Sequence, residues 1–249
     1  MPTKGRVVPR LSKAEVVERD GLEALTSKLA AAGFALRPEL TRAVSVGGLE
    51  NLLFLSDRTT LFGQGGVEVA AAVEPGRGRK VWAVRVNVVL YSARADEVLT
   101  KALERERMRA AYVLVDLMEL LLGQWRTTYR AEFSDPSEVD EWTTQIVTDV
   151  DTHAEAWFSR FDDVATGEEF VFHNRTKNFE PNHDAGLVAA LERGDIASAK
   201  RFSATLGSNW KPAIGPETVE RRTSLYRRIG AQYGVDLPLV TWDEVRARV

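Results

Sequence analysis

At 249 residues with 44% apolar side chains, the chain can bury one large core or two modest ones, and its net charge of −3 gives no global field that points to nucleic acid or a membrane surface. Charged residues make up 28%, a globular balance, so low hydrophobicity and self-repulsion are both excluded as drivers of disorder. There is no cysteine, which removes disulfides, thiolate nucleophiles and cysteine-ligated zinc or iron–sulfur sites.

The opening "MPTKGRVVPRLSKAEVVERD" is basic in places but holds no apolar run of signal-peptide length. No later stretch approaches the roughly 20 apolar residues that a spanning helix needs, so the expectation is a cytoplasmic protein without a membrane partner. Arginine outnumbers lysine 25 to 8, a codon-bias signature that suggests a bacterial or phage genome.

Between Ser12 and Gly33 the spacing predicts a helix: Ser12 stands at a cap position, Glu15 at the capping-box position, and Gly33 ends the apolar pattern. The texture then changes. "LENLLFLS", "GVEVAAAVE" and "KVWAVRVNVVLYS" are rich in Val, Leu and aromatics and read as antiparallel strands, with "PGRGR" at Pro75 to Arg79 as a hairpin turn. The "GQGG" at Gly63 to Gly66 reads as another turn. It lacks the G-K-[ST] of a phosphate-binding loop and leads into a strand, where a helix N-terminus would be required.

After Ser92 the sequence reads as helical throughout, with "AAYVLVDLMELLLG" (Ala110 to Gly123) a buried amphipathic element. Asp135 and Pro136 occupy cap and first-turn positions for the next helix, whose apolar stripe runs Trp142, Ile146, Val150, Ala154, Trp157, Phe158 and Phe161. The tail divides into two short helices hinged at Gly194-Asp195, a third with Pro216 at its start, and a last turn or two over "TWDEVRARV". "LERGDIASAKRF" has the look of a helical-repeat hairpin, although one copy makes no solenoid. The expected fold class is α+β: a small antiparallel sheet packed by helices over residues 1–172, with a helical C-terminal subdomain over 182–249.

Residues 20–172 resemble a bacterial domain family of unknown function in which an "L…L…GF" helix is followed by a small antiparallel sheet and a late W-F-x-x-F helix. The carriers are Leu25, Leu29, Gly33 and Phe34 at one end and Trp157, Phe158 and Phe161 at the other. They are framework positions, and the resemblance implies no catalytic residue or activity.

No catalytic constellation and no cofactor motif is legible: there is no G-x-S-x-G elbow, no triad order, and no S-x-x-K with its companion motifs. Three polar groupings remain. His153, His173, His183 and Asp184 have the chemistry of zinc or non-haem iron ligands, and the metalloenzyme alternative rests on them. Their spacing also suits a polar interdomain loop, since His173 and His183 lie ten apart and not four apart on a helix. Arg77, Arg79, Arg221, Arg222, Arg227 and Arg228 offer arginine-rich faces for nucleic acid, or faces paired within the fold to nearby glutamates.

The third grouping is acidic. Residues 131–171 carry twelve acids and one base, a charge of about −11, whereas residues 174–230 carry ten bases and six acids, about +4. The tail either neutralises the acidic segment within the molecule or leaves Glu138, Asp140, Glu141, Asp149 and Asp151 as a surface for a basic protein partner, in the manner of immunity proteins and inhibitors. The functional expectation is accordingly a non-catalytic protein that binds another macromolecule.

Overall fold

The computed structural model describes residues 13–40, 42–44, 49–75, 80–103, 112–123, 129–131, 137–173, 181–204 and 215–247. The first half contains α1 (Lys13–Ala31), β1 (Ala35–Leu36), a 3-10 turn (Pro38–Leu40), β2 (Arg42–Val44), β3 (Leu49–Thr60), β4 (Gly63–Pro75), β5 (Lys80–Tyr91) and α2 (Ala93–Leu103). Then come β6 (Tyr112–Asp116), α3 (Leu117–Leu122), β7 (Tyr129–Ala131), α4 (Ser137–Phe158), a 3-10 turn (Ser159–Phe161) and α5 (Val164–His173). The tail is α6 (Pro181–Glu192), α7 (Ile196–Ala204), α8 (Pro216–Tyr233) and α9 (Trp242–Ala247).

The fold is α+β, an antiparallel sheet packed with helices. Its strand order is β1-β3-β4-β5-β6, with β2 also pairing β3 and β7 pairing β5. The pairings of β1 and β2 with β3 and of β7 with β5 are antiparallel, in registers that set Leu36 opposite Phe54, Ala43 opposite Glu50 and Ala83 opposite Arg130. Among the described residues no helix is long and apolar enough to cross a membrane.

Two local expectations are corrected. The "GQGG" glycines do not form a turn; they open strand β4. The reversal is made one step earlier by Thr60, whose hydroxyl accepts from the Phe62 N–H at 3.1 Å and donates to the Gly63 carbonyl at 3.0 Å. A side chain that satisfies the turn's backbone leaves the glycines to extended pairing.

The stretch read as one helical element from Ala110 instead contains a strand, β6, followed by a short helix, α3. Tyr112, Val113 and Val115 suit a pleated surface better than a helix. Asp116 makes the switch: its backbone is extended, and its Oδ1 accepts from the Met118 N–H at 2.9 Å, capping α3.

The other helices agree with the pattern in the sequence. Along α4 and the 3-10 turn after it, Ile146, Val150, Ala154, Trp157, Phe158 and Phe161 are all buried, as one stripe of a 3.6-residue period demands. Asp135 and Pro136 lie outside the described residues. In the tail, α6 and α7 pack together about Gly194, whose φ of +72° fits the left-handed turn that a side chain would strain. Helix α5 lies in the stretch after Ser92 that reads as helical, where the sequence delimits no separate helix.

The chain forms two compact units. Unit 1 comprises Met1–Ser56, Val67–Val88 and Asp116–Ala154; unit 2 comprises Asp57–Gly66, Val89–Val115 and Glu155–Val249. The tail is therefore part of a larger unit that also holds α2 and α5, and helix contacts run from α2 to α6 and α8 and from α5 to α6.

In unit 1, Leu25 and Leu29 of α1 are buried, and the Trp82 ring lies 6.0 Å from that of Trp142. In unit 2 the rings of Trp157, Phe161 and Phe170 meet edge to face at centroid distances of 4.9 to 5.8 Å.

Candidate functional site

Helix α4 owes its two faces to composition. The apolar stripe turns inward, and the exposed positions are mostly Glu, Asp, Gln and Thr. Glu138, Asp140, Glu141 and Asp151 are exposed, and Asp149 is half-buried.

The five acids are not equivalent. Asp140 forms an ion pair with Lys28 of α1 at 2.8 Å, and the same Nζ donates to the Asp140 carbonyl and to the Thr144 hydroxyl. Asp149 accepts from the Tyr129 hydroxyl at 2.7 Å and from Gln145 Nε2 at 2.8 Å. Burial, reinforced by that hydrogen bond, pushes the Tyr129 hydroxyl well above its ordinary range and keeps it a proton donor. Two of the five are thus occupied in holding unit 1 together, whereas Glu141 and Asp151 make no ion pair among the described residues.

The threonines of this helix face add no competing polarity. Thr144, Thr148 and Thr152 donate back to the carbonyls of Asp140, Thr144 and Thr148 at 2.7, 2.9 and 2.7 Å. Glu141 and Asp151 are left as outward-facing charge.

Some of the acidic segment is neutralised by the molecule itself. Arg58 pairs with Glu155 at 3.1 Å and with Asp162 at 2.5 Å. Glu168, on α5, is buried and is met by three donors: Arg193 at 2.9 Å, Arg201 at 3.0 Å and the Ser198 hydroxyl at 2.7 Å. Here the basic tail meets the acidic segment within the molecule, at a buried carboxylate.

Three members of the histidine grouping have described side chains: His153, His183 and Asp184. His153, half-buried on α4, belongs to unit 1, while His183 and Asp184, on the first turn of α6, belong to unit 2. The His173 side chain lies outside the described residues. Asp184 is buried, and its Oδ1 accepts from Arg222 Nη1 at 2.5 Å and from the Tyr226 hydroxyl at 2.9 Å.

His183 sits edge-on to Phe172 and Phe202 at 5.8 and 6.0 Å. Burial, with the Arg222 cation second, lowers its pKa to about 4, so its ring is neutral at pH 7. Among the described residues no three His, Asp or Glu side chains form a group that could hold a metal.

The arginine faces are corrected at one position. Arg222 is buried in its pair with Asp184 and presents no charge to a phosphate backbone. Arg228 is exposed but donates to the Ala102 carbonyl at 3.0 Å, tying α8 to α2; Arg221 and Arg227 are exposed. Arg77 and Arg79 lie outside the described residues.

Two polar groups were not anticipated from the sequence. Glu68 is buried in β4, with Asn51 Nδ2 of β3 on one oxygen at 3.2 Å and Asn87 Nδ2 of β5 on the other at 3.1 Å. Glu119 of α3 has an oxygen sealed from solvent without a hydrogen-bond partner, and burial together with the Asp116 charge raises its pKa. The sequence signal was a polar residue inside an apolar strand for Glu68 and, for Glu119, a second acid after Asp116 in the apolar run from Ala110. No protein-family model, no curated protein and no solved structure matches this chain.

Proposed function

We propose that the protein is a non-catalytic binding protein that takes a basic macromolecular partner, foremost a protein, on the acidic face of α4. The observation that carries this reading is the arrangement of Glu138, Glu141 and Asp151. They are exposed along one helix whose neighbouring threonine hydroxyls are turned onto its own carbonyls. Carboxylates spread over the outward half of a helix whose apolar stripe is buried form an anionic surface, which steers and orients a cationic partner at little ordering cost. Asp140 and Asp149, nine residues apart and so on opposite flanks of the helix, anchor it through Lys28 and Tyr129.

The test uses an immobilised oligo-lysine peptide as probe, with affinity measured across a salt series. The triple variant Glu138→Lys, Glu141→Lys, Asp151→Lys is expected to lose roughly tenfold or more in affinity. A control with the same change in net charge, Glu169→Lys, Glu220→Lys, Asp236→Lys, is expected to bind nearly as the native chain does. Equal losses in the two variants, or affinity indifferent to salt, would overturn the proposal.

A further inference from the structure

We draw no further inference here: the strongest candidate, the cluster of Asp116, Glu119, Tyr129 and Asp149 about the start of α3 in unit 1, is a group of acidic side chains beside which nothing among the described residues points to a ligand.

Discussion

Arg222 and Asp184, 38 residues apart in the chain, meet at 2.5 Å in the interior of unit 2, with the Tyr226 hydroxyl on the same carboxylate oxygen. Both partners are almost wholly buried, so removing one strands the other's charge away from water. Asp184→Ala or Arg222→Ala is therefore expected to cost about 3–5 kcal/mol, read from urea unfolding midpoints. The double variant Asp184→Ala, Arg222→Ala is expected to cost less than the two single losses added together, because no isolated charge remains. Strict additivity would show that the two residues do not act as a pair.

His183 gives unit 2 a dependence on acid. Its folded pKa, near 4, is depressed below the unfolded value of about 6.5. The native state thus binds fewer protons than the unfolded chain between those values. The stability associated with the neutral ring is complete above about pH 6.5 and is lost as pH falls through the folded value. An NMR titration of the ring is expected to give a midpoint near 4. A midpoint at the value of an exposed histidine would remove the basis for the effect.

Glu119 behaves in the opposite sense. Burial and Asp116 raise its pKa above that of the unfolded chain, so the protonated form is favoured by folding, and this contribution fades as pH rises through the raised value. Glu119→Gln keeps the shape and removes the charge. It is expected to raise Tm at pH 7 by about 1–3 °C and to leave it unchanged below about pH 4. Thermal melts at the two pH values decide, and a gain of equal size at both would point to packing.

Gly21 of α1 lies under the Trp82 ring: a Cβ there would stand 2.6 Å from Cη2 and 2.9 Å from Cζ2. Alanine is the better helix former by up to about 1 kcal/mol, but Trp82 is buried and cannot swing aside, and overpacking of this kind costs about 1–3 kcal/mol. Gly21→Ala is expected to lower stability by about 1 kcal/mol net in a denaturant titration. An increase in stability would mean that the ring has room to move.

The elements that the sequence disclosed were those whose signal is local and periodic. The stripe from Trp142 to Phe161 encodes α4 because every buried position obeys one period, and the α6–α7 hairpin follows from a glycine between two short apolar patterns. Strand β6 was hidden because four apolar residues, Tyr112 to Val115, run straight into the apolar helix α3, and only Asp116 marks the junction.

The candidate surface was legible as charge, since exposed acids on a helix are a matter of counting and phase. Which acids are engaged was not: Lys28 meets Asp140 across 112 residues and Arg201 meets Glu168 across 33, and no local pattern records such pairings.

The Glu168 cluster bears on how the tail is divided. Helices α6 and α7 look in sequence like an exchangeable repeat module, but Arg193 and Arg201 find their counter-charge on α5, outside that module. An excised hairpin would carry two orphaned cations and an uncovered Phe202. Any shuffling event or engineered graft that begins at α6 therefore cuts the tail at the buried Glu168, and one that stops at α7 strands the buried Asp184 from Arg222 on α8.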